Sequence, residues 1–355
     1  MAYTTINKSS EHFNTKLYTG AGTGGSPFSL TGVGFAPDWT WIKRRDGVAI
    51  GHRLFDRVRG ATKYIDSSAT SAETTNTSTL TAFGSDGFTL QNEGSVNDGS
   101  ALFTSWNWKA NGQGSSNTDG SINTTYTSAN TTAGFSISKY TGTGSAGATF
   151  GHGLGSKPAM IIFKCLSVAG PSWVVYHQSK GATYTLYLDQ TSAGGASAEM
   201  LNNTEPTSSL ITLGNGTSSN SSGAPTIAYC FAEKTGYSKF GSYEGNNNIN
   251  GTFIYLGFKP AFLIIKAIDN ARNWMMYDNK RGLINVNDET LYPNADSAEV
   301  SPDNYNGIDF LSNGFKLRGG SSGVGNDTNG AETYIYMAFA EAPLVGTNNV
   351  PCTAR

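Results

Sequence analysis

The chain is poor in charge. Of its 355 residues 24 are lysine or arginine and 26 are aspartate or glutamate, so 14% are charged and the formal net charge is −2. Low charge removes the self-repulsion that keeps disordered chains open. It also leaves no clustered basic footprint of the kind nucleic acid requires, so nucleic acid is not an expected partner. The densest basic stretch is Lys43-Arg44-Arg45 with Arg53, Arg57 and Arg59. It is interrupted by Asp46 and Asp56 and reads as a solvated face.

Cysteine is scarce. Cys165, Cys230 and Cys352 are odd in number and match no zinc or redox spacing. Cys165 and Cys230 fall inside apolar strand patterns and read as buried free thiols, in keeping with a reducing compartment. The four histidines, at 12, 52, 152 and 177, stand too far apart for a zinc site. No Asp-x-Asp-x-Asp-Gly calcium loop occurs, and the glycine runs at 20–25 and 319–325 lack the ending of a phosphate loop. No metal or cofactor is expected. The polar start Met1–Lys8 has no apolar signal region, and no run approaches the about 20 apolar residues of a membrane span. Neither a secretory signal nor membrane insertion is expected.

What is abundant is glycine, 44 residues, and aromatic side chain: 17 Tyr, 18 Phe and 6 Trp. Short apolar runs separated by Gly/Ser/Thr/Asn clusters predict an all-β protein with long loops. One run occurs three times: Pro37 to Lys43, Pro158 to Lys164 and Pro260 to Lys266, each a proline, a buried apolar strand and a lysine. Four more features keep their order around it. They are a Tyr-x-Gly turn (Tyr18, Tyr140, Tyr243), Ser-Ala-Glu (71–73, 197–199, 297–299), a second strand ending in leucine and an aromatic closing strand.

Units of roughly a hundred residues are too long for solenoid repeats and suit small sandwiches. The prediction is three homologous tandem β-sandwich (jelly-roll or lectin-like) domains: a lead over 1–13, units over 14–109, 134–234 and 235–346, a Gly/Ser/Thr/Asn-rich linker over 110–133 and a tail over 347–355. The long linker would let unit 1 move separately, whereas Lys234-Thr235-Gly236 should hold units 2 and 3 close. The central apolar strand reads as covered on both faces. In the closing strand Ile335, Met337 and Phe339, with Ile227, Tyr229 and Phe231, and Thr104, Trp106 and Trp108, read as a core face.

Candidate chemistry is sparse. A catalytic carboxylate has no reason to occur in three copies, and Ser-Ala-Glu suits a helix start or turn. The lysines at 43, 164 and 266 read as leaving the core at a strand end. His177 follows Trp173 and Tyr176, and its counterpart Asp278 follows Trp274 and Tyr277. Aromatic rings beside a polar group are what a sugar-stacking site uses, and also what a sandwich core contains. Trp173, Tyr176, His177, Trp274, Tyr277 and Asp278 are the candidate glycan-binding residues. Paired carboxylates for glycoside hydrolysis cannot be placed by spacing. Acids are densest in unit 3, at Asp288, Glu289, Asp296, Glu299, Asp303 and Asp309. No catalytic residue is assigned and the chain reads as non-enzymatic.

Tyr18-Thr19-Gly20, the stretch Gly32 to Trp39, Ala228-Tyr229-Cys230-Phe231-Ala232-Glu233-Lys234, Asp278-Asn279-Lys280-Arg281 and Phe310-Leu311-Ser312-Asn313-Gly314-Phe315-Lys316 resemble a family of β-rich virion proteins from tailed phages of marine bacteria. The resemblance runs over nearly the whole chain. It implies lectin-like sandwiches in a tail-fibre-like, adhesion or decoration protein, assembled in the host cytoplasm and released in the virion by lysis. It carries no catalytic residues. The partners it implies are other virion structural proteins and host surface polysaccharide. Symmetric appendages further suggest a homo-oligomer, a trimer, although no heptad stretch enforces one. The alternative is a carbohydrate-active enzyme or free lectin with a glycan-binding cleft. A cell-surface adhesin is disfavoured by the lack of a signal region.

Overall fold

The computed structural model describes residues 3–22, 27–301, 306–319, 328–346 and 351–353. Asp303, and residues 23–25 and 320–325 of the two glycine runs, lie outside these. The fold is all-β, with antiparallel sheets.

One strand order recurs along the chain. In unit 1 Phe13–Thr19, Leu102–Trp108, Trp39–Arg44 and Arg53–Asp56 lie side by side in that sequence. Unit 3 repeats it with Ser238–Glu244, Thr333–Pro343, Phe258–Ala267 and Met275–Asp278. Unit 2 has Phe135–Thr141, Pro225–Phe231, Met160–Cys165 and Val174–His177, extended at one edge by Tyr126–Asn130 and at the other by Tyr184–Tyr187 and Gly195–Ala196. Smaller sheets accompany these: Phe28–Thr31, Gly87–Leu90 and Leu80–Phe83; Thr149–Gly151 and Leu210–Thr212; Phe253–Tyr255, Gly314–Leu317 and Ile308–Leu311.

Period-two alternation distributes each main sheet's side chains between two cores. In the closing strand of unit 3, Tyr334, Tyr336, Ala338 and Ala340 face the unit's own smaller sheet and pack with Phe310, Phe315 and Leu317. Ile335, Met337 and Phe339 face the other way, as do Ile227, Tyr229 and Phe231 of unit 2 and Trp106 and Trp108 of unit 1. The predicted core face is therefore buried. It lines a core common to all three units rather than the inside of one sandwich. Phe262 and Ile264 of the central strand enter this common core while Leu263 and Ile265 enter the private one, which is why that strand is apolar throughout.

Aromatic rings fill the meeting point. Trp39 of unit 1 stacks on Tyr229 of unit 2 at 4.5 Å, and Phe13 of unit 1 stacks on Phe339 of unit 3 at 5.3 Å. Phe231 of unit 2 meets Phe339 at 6.0 Å, so each unit touches the other two. Ring pairs of this kind add roughly 0.5–1.5 kcal/mol each beyond their buried area.

The expectation that unit 1 hangs on a flexible linker is corrected by this packing. Within 110–133, Tyr126–Asn130 pairs with Phe135–Thr141 as an extra edge strand. Ile122 is buried against Phe150 and joins the core of unit 2, and Ser128 Oγ donates to Gly112 O. Serine and threonine here bond backbone, which composition alone could not reveal. The lead is likewise docked: Tyr3 Oη donates to Gly257 O and Thr4 Oγ1 to Thr235 O, both in or beside unit 3.

The Tyr-x-Gly turns share one device. Tyr18, Tyr140 and Tyr243 donate their hydroxyls to Val96 O, Ser219 O and Thr328 O. The glycines at 20, 142 and 245 sit where a Cβ would overlap backbone of the facing turn, which explains glycine at all three. The amide oxygens of Asn97, Asn220 and Asn329 then accept the next backbone N–H, at 2.8, 2.8 and 3.1 Å.

Candidate functional site

The six candidate glycan-binding residues are all interior. Trp173, Tyr176, Tyr277 and Asp278 have no exposed surface, and His177 and Trp274 retain 1%. No sugar reaches them in this fold. Trp173, His177, Trp274 and Asp278 bond across the seams between units, while Tyr176 and Tyr277 lie in the private cores of units 2 and 3.

Each seam repeats a small set of bonds. Trp173 and Trp274 stand just before the fourth strand of their sheets and donate Nε1–H to a carbonyl of the preceding unit, Asp66 O and Tyr187 O, both at 2.8 Å. His52 holds the same place in unit 1. Its Nδ1 accepts from Trp41 Nε1 at 2.7 Å, which leaves Nε2 to donate to Tyr292 O of unit 3 at 3.0 Å. The ring of bonds thus runs from unit 2 to 1, from 3 to 2 and from 1 to 3.

The last residue of the fourth strand makes a second lock. Asp278 accepts from Arg281 Nε at 2.6 Å and from Trp106 Nε1 of unit 1 at 3.0 Å. Glu299, of Ser-Ala-Glu, closes on Arg281 at 2.8 Å and on Arg45 of unit 1 at 2.7 Å. Asp56, Arg59 and Glu73 repeat the arrangement, with Tyr229 of unit 2 donating to Asp56 at 2.7 Å. Burial alone would raise the Asp278 carboxyl; Arg281 outweighs it and holds the group below its ordinary value.

Unit 2 breaks the pattern. Trp106 and Tyr229 pair with Trp41 and Ile162 of their central strands, and the residue so placed in unit 3 is Met337. Methionine has no donor for a carboxylate. The facing residue of unit 2 is His177, which accepts from Ser179 N at Nδ1 and donates from Nε2 to Tyr336 O at 3.1 Å. Burial lowers its pKa to about 4, so it stays neutral.

The strand-end lysines do not leave the core. Lys43 donates to Ile50 O and to Asp296 O of unit 3, Lys266 to Arg272 O and to Thr191 O of unit 2, and Lys164 to Pro171 O. Burial lowers Lys43 and Lys164 to about 8 and Lys266 to about 7. The basic stretch is no solvated face either: Arg44 pairs with Asp46 and Asp98, Arg53 with Asp66 and Arg57 with Asp38. Ser-Ala-Glu starts no helix. Its glutamates in units 1 and 3 are the outer ends of the arginine locks. The signal that would have revealed these locks is the Asp-x-x-Arg spacing shared by 56–59 and 278–281.

Open surface lies at the loops. The segment after Lys164 helps to enclose a pocket of about 240 Å³ in unit 2, lined by Ser172, Thr185, Tyr187, Glu199 and Met200 among others. A wider cleft of about 570 Å³ in unit 3 carries Asp288, Asp309 and Arg318 beside Ile249 and Val286. Among the described residues no group of three or more His, Cys, Asp or Glu is placed to hold a metal ion. Cys165 and Cys230 are buried and unpaired.

No curated protein and no solved structure shows significant similarity to the chain. A family model described as a domain of unknown function (DUF7483) matches residues 8–343, a span that crosses all three units. The chain belongs to the DUF7483 family.

Proposed function

We propose that the chain is a non-enzymatic structural component of a tailed-phage virion. It is exposed on the particle as a fibre, adhesion or decoration protein and contacts host-surface glycans through its loops. One observation supports this reading above others. The three strand-end lysines, His52, His177 and the two Asp-Arg-Glu sets are bonded within or across unit seams. Such a build serves rigidity and leaves recognition to the loops. The resemblance in the sequence supplies the virion context.

Immunogold labelling of purified particles tests the location. Label on heads or tails is the expected result, and label confined to the soluble fraction of the lysate overturns it. Light scattering on the purified chain reads the proposed trimer. Incubation with host polysaccharide separates the enzymatic alternative, because new reducing ends would overturn the non-enzymatic assignment.

A further inference from the structure

The lock that units 1 and 3 share is dismantled in unit 2, and its carboxylate is released into a pocket. Thr70 O accepts from Gly170 N of unit 2, Asp296 O from Lys43 of unit 1 and Thr191 O from Lys266 of unit 3, which makes these three positions equivalent. Three residues on from Thr70 and from Asp296 come Glu73 and Glu299, but Glu199 comes eight after Thr191. In unit 1 the edge strand Thr74–Thr75 follows Glu73 directly, whereas in unit 2 the matching edge strand Gly195–Ala196 comes before Glu199, which therefore lies away from the seam. The arginine is gone too. Lys180 stands where Arg59 and Arg281 stand, and its ammonium lies over the Tyr184 ring at 4.3 Å.

Glu199 is nevertheless held firmly. Its carbonyl accepts from Gly216 N at 2.8 Å, and Gly214 N donates to Met200 O at 3.0 Å. A Cβ on either glycine would run into Glu199, so the loop closes on it only because both are glycine. Its carboxylate enters no hydrogen bond or ion pair among the described residues and lines the pocket. Ser172, whose hydroxyl accepts from Gln190 Nε2 at 2.8 Å, lines it as well, with Thr185, Tyr187, Met200 and Ser218. Thr185 is 4% exposed, and its hydroxyl has no partner. No lysine or arginine lines the space, so nothing there compensates an anion. The volume corresponds to about eight waters at ~30 Å³ each, the scale of one sugar ring.

We propose that this pocket binds a single neutral saccharide residue, with two adjacent hydroxyls donating to the Glu199 carboxylate and Ser218 Oγ completing the polar contacts. An unpaired carboxylate beside a half-buried hydroxyl selects a ligand rich in donors. Tyr187 and Met200 offer cover for the ring's C–H face. This deepens the glycan-contact part of the reading above and rests on it.

Saturation-transfer NMR on the full chain, with a panel of neutral mono- and disaccharides and a uronic acid, tests it. At least one neutral sugar is expected to bind. Glu199→Gln should weaken that binding tenfold or more and Ser218→Ala severalfold, with the melting temperature of Glu199→Gln unchanged because that side chain is exposed. Equal binding to Glu199→Gln would overturn the pocket while leaving glycan contact elsewhere on the chain intact. Preference for the uronic acid would overturn the neutral-ligand assignment. Binding of no sugar to the unaltered chain would overturn both pocket and glycan contact, leaving virion location to the gold labelling.

Discussion

Single residues decide how the seams behave. Asp278 and Arg281 are both fully buried, and removing one leaves the other charged and without its match. Asp278→Ala should cost about 3–5 kcal/mol in urea unfolding, the range for breaking a buried pair. Trp106→Phe replaces the indole with a smaller phenyl ring and loses the bond to the carboxylate; a loss of at least about 1.5–3 kcal/mol is expected. Histidine sets the response to acid. His52, His152 and His177 share one arrangement: Nδ1 accepts, Nε2 donates to a carbonyl, and burial depresses the pKa of each. Below about pH 6.5 the unfolded chain takes up protons that the folded one refuses, so stability falls as pH drops toward 4. The depressed lysines act in the same sense higher up. Unfolded lysine stays charged to about pH 10.4 while the folded groups lose protons near 8, 8 and 7, so stability rises with pH from about 7. Tyr18, Tyr140 and Tyr229, held protonated by burial, reverse this above about pH 10. Calorimetry should find a melting temperature lower at pH 4.5 than at 7 and higher at 9 than at 7.

At the scale of elements, the segment 110–133 is the clearest test. A free linker of this composition would be cut first by protease, whereas a segment whose backbone is bonded and whose Ile122 is buried resists. Limited proteolysis of the native chain should therefore leave it intact, and Ile122→Ala should cost about 2–5 kcal/mol and open it to cleavage. The Tyr-x-Gly turns offer a second test. Gly142→Ala places a methyl against backbone of residues 220 and 221, and the thermal midpoint should drop. The central and closing strands were legible because alternation and apolar runs are local signals. The edge strand Tyr126–Asn130 was not, because its serine and threonine find partners outside the strand, Thr127 Oγ1 with Gly151 O 24 residues away among them.

At the scale of the whole molecule the question is cooperativity. Six tryptophans are all fully buried, four of them in unit 1 with their rings in the common core. Their fluorescence should change in one unfolding transition that coincides with loss of β-sheet signal by circular dichroism. Two separated transitions would show that unit 1 folds independently. Unit 1 cut out as 1–109 would expose Trp39, Trp41, Trp106 and Trp108 together. It should bind a hydrophobic dye and self-associate, as exposed apolar faces do.

By itself the sequence determined the all-β class, the central and closing strands and their recurrence along the chain, because turn residues, prolines and period-two patterns act over a few neighbours. It also marked Trp173, Tyr176, His177, Trp274, Tyr277 and Asp278 as unusual without saying why. Only the tertiary structure decided that four of these residues close seams while Tyr176 and Tyr277 enter private cores, that the second face of each main sheet meets its two counterparts, and that Glu199 is unbonded where Glu73 and Glu299 are bound. Those outcomes depend on which unit's donor arrives opposite which acceptor. His177 against Tyr336 O and Trp106 against Asp278 are juxtapositions of residues 159 and 172 positions apart, set by packing and absent from any local pattern.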